Sequence, residues 1–311
     1  MKHLFIVNPI AGGSDKTDEV RAKVVSAFAQ RRDEEWEIYV TKAPQDATAR
    51  ILAEAEGGKE LRVYACGGDG TFNECATAAV GQANVAVCPF PTGTGNDFCR
   101  MFGREKDLFR DLDALLAGSI HPIDAIACNG RCSVNICSVG IDARIGTNAH
   151  KYPTLPLLGG AGAYVAAAAI EMWKGIARPM HITAEGFDVR GEFTLACACN
   201  GRFYGGGFNP SLDARPDDGE LDMFIVRKVN LAQFAVLIGR YAAGHAAEMT
   251  KFVTHLKGSW ITIEFEDENV INLDGEALFT KKAEMKVLPG AVRLIVPRGM
   301  SFFDERQKKE V

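Results

Sequence analysis

The sequence has no apolar run long enough to cross a membrane. The closest approach, Gly159 to Ile170, is followed at once by Glu171 and falls short of the ~18 residues that a transmembrane helix needs. The four consecutive apolar residues from Leu4 to Val7 are too few for the core of a signal peptide. We therefore expect a cytoplasmic protein whose membrane contact, if it has one, is peripheral.

The sequence also lacks an excess of positive charge and a regular spacing of cysteines. The chain carries 40 acidic against 35 basic side chains, a net charge of −5, whereas nucleic-acid-binding proteins are usually basic. We therefore expect no nucleic-acid partner. Nine cysteines form no disulfide framework and no zinc-ligand spacing, which indicates reduced thiols. Cys197 and Cys199 alternate along a predicted strand, and we expect both to be buried as small hydrophobic residues.

The length of 311 residues predicts about two domains. In residues 1–122, short apolar segments alternate with helical patterns, such as the one that places Val20, Val24 and Phe28 on one face. This alternation predicts an α/β domain with a parallel, doubly wound sheet. In such sheets ligands bind beyond the carboxyl ends of the strands.

The rest of the chain has a different pattern. Residues 123–298 contain many short strand-like segments and a hairpin signal at Asn129-Gly130, which predict an antiparallel, β-rich, sandwich-like domain. Helical patterns occur at Ala161–Lys174 and Leu231–Tyr241. We expect the tail, residues 299–311, to return to the N-terminal domain.

A glycine-rich loop, Cys66-Gly67-Gly68-Asp69-Gly70-Thr71, follows a predicted strand and precedes a helix. Glycines allow close backbone approach, and the amides at a helix N-terminus attract anions. A carboxylate in a phosphate-binding loop would repel the ligand, so Asp69 indicates either Mg²⁺ or a structural hydrogen bond. The motif taken alone is also compatible with an ordinary turn between a strand and a helix.

A second loop, residues 91–98, follows the next predicted strand and reads Pro-Thr-Gly-Thr-Gly-Asn-Asp-Phe. Two such loops at one sheet edge predict a nucleotide site. The chain lacks G-x-x-x-x-G-K-[ST], which excludes a P-loop. The first strand–helix turn, around Gly12-Gly13, also lacks the G-x-G-x-x-G dinucleotide fingerprint.

In this order, five motifs resemble those of the diacylglycerol kinase catalytic-domain family of lipid kinases, and the resemblance covers nearly the whole chain. They are Asn8-Pro9 with Gly12-Gly13, Gly67–Thr71 with Glu74, Gly93–Asp97, an N-x-x-S-x-G-x-D-A stretch from Asn135 to Ala143, and Asp274-Gly275-Glu276. Gly205–Gly207 and the acidic segment Asp217–Asp222 add to the resemblance.

The resemblance implies transfer of a phosphoryl group from ATP to a lipid hydroxyl, and hence a role in phospholipid biosynthesis. It implies Asp274 as the general base, with Glu276 beside it. The residues that it implies for nucleotide binding are Asn8, Gly67, Gly68, Asp69, Gly70, Thr71, Glu74, Gly93, Thr94, Gly95 and Asn96.

The resemblance also implies metal ions. Asp69, Asp97 and Asp124 would reach a catalytic Mg²⁺ through water, and Asp218 with the carbonyl of Glu220 would hold a structural ion. Two residues depart from the family pattern. Leu212 stands where proline is common, and Arg215 stands where some members supply a ligand to the structural ion.

Several alternatives stay open. An NAD kinase shares the Gly-Gly-Asp-Gly-Thr loop and the two-domain plan, and a non-catalytic binding protein is a third hypothesis. Asp274-Gly275 is also a standard hairpin pair. The sequence does not identify the lipid acceptor, and it leaves a homodimer as one alternative for the oligomeric state.

Overall fold

The computed structural model describes residues 1–93, 95–149 and 170–304. The described chain forms two compact units. The first unit is Met1–Ile123 together with the chain from Gly290 onward, and the second is Asp124–Pro289. The sequence-based boundaries were 122/123 and 298/299, so the chain re-enters the first unit nine residues before the predicted tail. The predicted helix at 161–174 lies outside the described residues up to position 169.

The first unit alternates strands and helices, as predicted. Its elements are β1 (Lys2–Val7), α1 (Thr17–Phe28), β2 (Glu35–Val40), α2 (Asp46–Ala55), β3 (Leu61–Gly67), α3 (Asp69–Ala79), β4 (Val85–Pro91), α4 (Asp97–Arg100), a 3₁₀ segment (Gly103–Arg110) and α5 (Leu112–Leu116). Periodic apolar residues explain α1, because Val20, Val24 and Phe28 form its buried face.

A parallel sheet is the centre of the first unit. Its strand order is β2-β1-β3-β4, and residues 293 and 294 add a further parallel pairing beside β4. The inner strands β1, β3 and β4 are mostly apolar and are buried over most of their length, as parallel strands covered on both faces are. In register, Val7 lies beside Cys66 and Gly67 beside Pro91, so β1, β3 and β4 end at one edge.

The second unit is dominated by antiparallel strands. Its elements are β5 (Ser119–Cys128), β6 (Arg131–Ser133), β7 (Ile136–Gly140), α6 (Ile141–Ala149), β8 (Arg178–Ala184), β9 (Phe187–Cys199), β10 (Leu221–Arg227), α7 (Leu231–Ala242), β11 (Val253–Gly258), β12 (Trp260–Leu273) and β13 (Glu276–Val296). The boundary between the units falls within β5 and again within β13.

Strands β11-β10-β9-β7-β12 are neighbours in that order, and β8 pairs with both β9 and β12. Alternation along β9 produces two apolar cores. Ala196 and Ala198 face one core, while Leu195, Cys197 and Cys199 face the other. Both thiols are buried among apolar neighbours, as expected for small hydrophobic residues. The predicted fold class, an α/β part followed by a β-rich part, is confirmed.

Candidate active site

Three loops meet at the carboxyl edge of the parallel sheet. They follow β1, β3 and β4 and begin at Asn8, Gly68 and Thr92. The amides of Thr92 and Gly93 both donate to the carbonyl of Gly67, at 3.0 and 3.1 Å. The loops after β3 and β4 are therefore tied together by their backbones, as expected for a rigid cradle rather than two independent turns.

Glycine is required where these loops touch. A methyl group on Gly93 would lie 2.7 Å from Cα of Gly68, and one on Gly12 would lie 2.6 Å from the carbonyl oxygen of Thr92. Both neighbours are backbone atoms, which have no side-chain rotation with which to yield. Side chains are thus excluded from the middle of the cradle.

Asn8 and Thr71 join the first loop to the second. The Asn8 side-chain amide donates to the Thr71 hydroxyl at 3.1 Å, and the Asn8 side-chain oxygen accepts from the amide of Ile10 at 3.2 Å. Thr71 lies in the first turn of α3, and its side chain would collide with any side chain at Gly67. These predicted binding residues lie together, and their side chains order the loops.

Helix α3 begins inside the cradle without a side-chain cap. The first amides of a helix have no partner within the helix, and they carry its positive dipole end. Gly70, in that first turn, has no atom within 4 Å of the position that a Cβ would take. The open helix end is suited to an anion such as a phosphate.

Asp69 extends from α3 to the loop after β4. One carboxylate oxygen accepts from the amide of Phe98 at 3.2 Å, and a Cβ on Gly95 would lie 2.8 Å from the other. Burial raises the pKa of Asp69 above the ordinary value, although backbone amides of residues 96–98 partly oppose that rise. Both sequence hypotheses for Asp69 agree with this geometry, since it makes a structural hydrogen bond and carries a buried acceptor group.

The remaining residues of the third loop support its shape. Asn96 has a left-handed backbone, with φ of 52°, and its side-chain amide donates to the carbonyl of Gly93 at 2.8 Å. Asp97 is buried and pairs with Arg100, which is 3.1 Å away and also donates to the carbonyl of Gly95. Thr94, predicted to bind phosphate, lies outside the described residues.

Glu74 has a different neighbourhood from the loop residues. Its carboxylate accepts from the backbone amide of Thr48 at 3.2 Å, and the Thr48 hydroxyl donates to the Glu74 carbonyl. Thr48 lies in the first turn of α2. The Glu74 carboxylate therefore joins α3 to α2.

In the second unit, Asp274 occupies the two-residue turn between β12 and β13. Asp274 and Gly275 have φ of 49° and 97°, which are the left-handed values of a tight hairpin turn. The Asp274 carboxylate accepts three backbone amides, those of Val134 at 2.8 Å, Asn135 at 3.0 Å and Ile136 at 2.7 Å. The Asp-Gly pair is thus a hairpin turn and also holds a firmly oriented carboxylate.

Two influences act on the Asp274 carboxyl group. Burial raises its pKa above the ordinary value, and the three amides oppose that rise by stabilising the charged form. The net direction is upward, as suits a group that accepts a proton. Glu276 begins β13 beside this turn, and its carboxylate lies 3.9 Å from Arg131.

Asp124 and Asp218 lie together in the second unit. Asp124 accepts from the amide of Gly219 at 2.7 Å, and Asp218 accepts from the amide of Glu220 at 3.1 Å. Burial and the neighbouring carboxylates Asp222 and Asp124 raise the pKa of Asp218, whereas Lys257 lowers it. Arg215 binds both oxygens of Asp217, so the chain supplies its own cations to this acidic turn.

Sequence reasoning missed the residue that supports these carboxylates. The side-chain amide of Asn200 donates to the carbonyls of Asp124 and Val134, at 3.0 and 2.8 Å. Asn200 is fully buried, directly after β9. The signal that the sequence offered was a polar residue directly after an apolar strand.

A buried polar cluster was also missed. Burial raises the pKa of Asp142, which contacts Ser138 and Tyr204. The Tyr204 hydroxyl lies 3.3 Å from the Tyr241 hydroxyl, which lies 3.3 Å from the Cys197 sulfur. Asp142 was visible in the sequence only as part of a motif, because nothing local shows that it is buried.

An apolar pocket lies beside that cluster. Tyr241 forms part of its lining, with residues of β9, β10, α7 and the start of β11. The other lining residues are Thr194, Leu195, Val226, Val229, Phe234, Leu237, Ile238, Met249 and Val253. The space that these side chains leave is about the size of one water molecule, so the lining is a part of the core that is not fully packed.

The described part of the chain has neither a cluster of direct metal ligands nor a membrane-spanning helix. Residues 1–93, 95–149 and 170–304 contain no group of three or more His, Cys, Asp or Glu side chains placed to hold a metal ion directly. In the same ranges, no helix combines the length and apolar character needed to cross a bilayer.

Comparison with known proteins identifies the class to which this fold and these loops belong. Residues 2–128 match the diacylglycerol kinase catalytic domain, and residues 135–296 match the YegS C-terminal NAD kinase beta sandwich-like domain. A crystal structure of a diacylglycerol kinase from Bacillus anthracis superposes with a TM-score of 0.70 at 25% identity, over 96% of this chain and 98% of that one.

Similar curated proteins indicate the same class. A Pseudomonas aeruginosa protein named "Probable lipid kinase YegS-like" is 32% identical over 295 residues, which cover 94% of each chain. A Klebsiella pneumoniae protein with the same name is 31% identical, over 86% of this chain and 88% of that one. The chain belongs to the YegS-like family of lipid kinases, and it is a kinase of the diacylglycerol kinase-like class. The resemblance found in the sequence is confirmed.

Proposed function

We propose that this protein transfers the γ-phosphoryl group of ATP to the hydroxyl group of a diacylglycerol-like lipid. The lipid oxygen bonds to the γ-phosphorus, the bond from that phosphorus to the β,γ-bridging oxygen breaks, and ADP leaves. Asp274 accepts the hydroxyl proton. The observation that carries the proposal is the oriented, buried carboxylate of Asp274 in a chain whose relatives are named lipid kinases.

The first unit supports ATP binding. Gly67–Thr71 and Gly93–Asn96 would surround the phosphates with backbone amides, and the open N-terminus of α3 would add its dipole. Thr94 belongs to the same proposal, and Asn8 would order the cradle through Thr71. Phosphoryl transfer requires mainly positioning and charge neutralisation, which rigid amides provide.

Magnesium fits the donor chemistry of the loops. Asp69 is a buried carboxylate, and burial raises its pKa although backbone amides partly oppose the rise. Mg²⁺ keeps several waters and uses one or two carboxylates, which suits so sparse a set of oxygens. When bound, the ion would neutralise charge on the phosphates. We propose Asp69 and Asp97 of the first unit, and Asp124 of the second, as the carboxylates that reach it through water.

The family resemblance implies a structural ion at Asp218 and Glu220, and this chain has cationic side chains at the same turn. Arg215 binds Asp217, and Lys257 lowers the pKa of Asp218. These two cations of the chain balance the acidic turn that an ion would otherwise stabilise. We propose that Arg215 and Lys257 take the place of that ion here.

Three amides determine the orientation of the proposed base. A carboxylate offers about four lone-pair positions, and the amides of residues 134–136 occupy three of them. The Ser133 side chain also hydrogen-bonds to this carboxylate and lowers its pKa. Glu276 is the first residue of β13 after the turn, and it would place a second negative charge beside Asp274.

Product analysis tests the proposal. The protein is incubated with γ-labelled ATP, Mg²⁺ and, separately, diacylglycerol, monoacylglycerol, a sphingoid base, an isoprenoid alcohol or NAD, the lipids being presented in detergent micelles. We expect label in phosphatidic acid from diacylglycerol. Label in NADP with none in any lipid would replace this proposal with the NAD kinase alternative, and label in no product would refute kinase activity of either kind.

A further inference from the structure

The third loop of the cradle runs into a very short helix. Helix α4, Asp97–Arg100, has only four residues, whereas a helix needs about 12 to be stable through its own hydrogen bonds. The backbone amide that the Asp69 carboxylate accepts at 3.2 Å belongs to Phe98 in this helix. The direction of that amide, and with it the shape of the loop after β4, therefore depends on side-chain contacts that hold α4 in place.

Buried aromatic side chains supply these contacts. We define the aromatic column as Phe72 of α3, Phe98 of α4, Phe102 just beyond α4, and Phe303, all of which are buried. The ring centroids of Phe72 and Phe98 are 4.5 Å apart, and those of Phe98 and Phe102 are 5.6 Å apart. Phe303 continues the column, with its ring centroid 5.9 Å from that of Phe102. These are the distances of packed aromatic pairs, so the column links the cradle to Phe303 without a gap.

Phe303 comes from a distant part of the chain. Residues 301–303, which we call the returning segment, follow β13 and belong to the first unit. Phe302 of this segment also packs on Phe102, with the ring centroids 4.8 Å apart. The Phe303 ring stacks on His121 at 4.1 Å. The two phenylalanines thus form the end of the aromatic column that lies farthest from the cradle.

Glu105 binds the returning segment to the 3₁₀ segment after α4. Its carboxylate accepts the backbone amides of Ser301 and Phe302, at 3.0 and 3.2 Å, and the hydroxyl of Ser301 at 2.6 Å. Hydrogen bonds to a charged acceptor are stronger than those between neutral groups. Because Glu105 follows Phe102 closely along the chain, this contact keeps the returning segment against the aromatic column.

We infer that the returning segment positions the nucleotide loop after β4. Its two rings hold Phe102 and, through Phe102, the side chain of Phe98, so that the Phe98 amide stays directed at Asp69. This inference rests on the proposed function and adds to it a requirement for residues outside the loops. Glu105, Phe302 and Phe303 are positioning residues, because they would act on a nucleotide only through α4.

Amide hydrogen exchange tests the inference without any ligand. Phe303→Leu keeps an apolar side chain but removes the ring that contacts Phe102. The matched control is Phe28→Leu, because Phe28 is also a buried phenylalanine of the first unit, 5% exposed against 7% for Phe303, and packs on Phe5 outside the column. We expect exchange in the peptide of residues 95–100 to be about tenfold faster in Phe303→Leu and unchanged in Phe28→Leu.

ATP titration and steady-state kinetics measure the consequence for the nucleotide. We expect the dissociation constant and the KM for ATP to rise about tenfold in Phe303→Leu, with kcat at saturating ATP within about twofold of wild type. Glu105 is only partly buried, so Glu105→Ala tests the same contact with the core intact and should raise both constants as well. Glu105→Gln keeps a side-chain acceptor and should restore most of the affinity.

A role in stability alone predicts a different pattern, since it would lower the free energy of unfolding and leave both ATP constants unchanged. That pattern would overturn the inference. It would also be overturned by unchanged exchange of the loop in Phe303→Leu, or by equal acceleration in Phe28→Leu. If wild type does not bind ATP at all, but Phe303→Leu alone accelerates exchange in residues 95–100, the proposed function fails and the positioning of the loop stands.

Discussion

His3 is a fully buried side chain in the first strand of the parallel sheet. Its Nδ1 lies 2.9 Å from the Tyr64 hydroxyl, and its ring stacks on the Tyr64 ring at 5.8 Å. Burial, followed by the positive charges of Arg62 and Arg31, lowers the pKa of His3 to about 4 from an ordinary value of 6.5. The neutral ring is thus part of the packing of the sheet.

A pH dependence of stability follows. Between pH 6.5 and pH 4 the unfolded chain binds a proton at His3 that the folded protein does not, so stability is present above pH 6.5 and is lost as pH falls toward 4. The Glu34 carboxylate lies 3.1 Å from His3 Nε2 and stabilises the protonated ring, so the loss should be at most about 3 kcal/mol in the free energy of unfolding. His3→Gln should lose less between pH 7 and pH 4.5, measured by urea unfolding. An equal decline in both proteins would show that other groups cause it.

Carboxylates at the candidate site show how residue-scale chemistry depends on distant chain segments. The sequence identified Asp274 through its Asp-Gly-Glu motif. The groups that orient it are amides at positions 134–136, about 140 residues earlier, and no local pattern reveals such a pairing. The same is true of Asp124, whose partner is the amide of Gly219.

At the scale of elements, periodicity predicted most of the first unit. Apolar strands and amphipathic helices alternate there as expected, since each buried face repeats at the spacing of its own secondary structure. The sequence pattern predicts a helix over Asp107–Leu116, which was wrong in its first half, because residues 107–110 belong to a 3₁₀ segment that ends before α5. Asp111 separates the two because its carboxylate caps α5.

In the second unit, the sequence pattern predicts one strand over Cys132–Ile136, and this prediction was wrong. The chain forms β6 at 131–133 and β7 at 136–140, with a break at Val134 and Asn135. The break occurs because the amides of these residues donate to the Asp274 carboxylate instead of a neighbouring strand. A contact with a side chain has thus replaced regular strand pairing.

The sequence pattern predicts two separate strands, Glu284–Val287 and Val292–Val296, but they are parts of one strand, β13. The strand continues through Gly290, whose φ is 60°. This position is also the boundary at which the chain returns to the first unit, nine residues before the predicted boundary at 298/299.

The contact between the loops after β3 and β4 gives an element-scale prediction. Gly93→Ala places a methyl group 2.7 Å from Cα of Gly68, so the loops must separate. We expect the free energy of unfolding to fall by about 1–3 kcal/mol and ATP affinity to fall with it. Chemical denaturation and calorimetric titration measure the two effects.

Gly70→Ala is the matched control for Gly93→Ala. Its methyl group meets no atom within 4 Å, and alanine favours the helix by about 1 kcal/mol. Stability should therefore be retained or rise, while ATP affinity falls because the methyl group occupies ligand space. Equal destabilisation by both substitutions would contradict the cradle geometry, and an unchanged ATP affinity in both would remove the phosphates from these loops.

For the whole molecule, the account assigns different tasks to the two units. The first would bind the nucleotide through backbone amides, and the second would supply the base. The resemblance of the ordered motifs to a known family implies this division. The motifs could not predict the pocket, since its lining comes from four elements spread over 60 residues, Thr194 to Val253.

The most direct measurement compares turnover and ATP binding in Asp274→Asn. The account predicts that kcat for diacylglycerol falls by about 10²–10⁴-fold, while the dissociation constant for ATP is unchanged. Asp46→Asn is the control, because Asp46 also accepts a backbone amide, from Lys42 at 2.8 Å, but lies on α2 outside the loops. Wild-type turnover in Asp274→Asn, or an equal loss in Asp46→Asn, would contradict the assignment of Asp274 as the base.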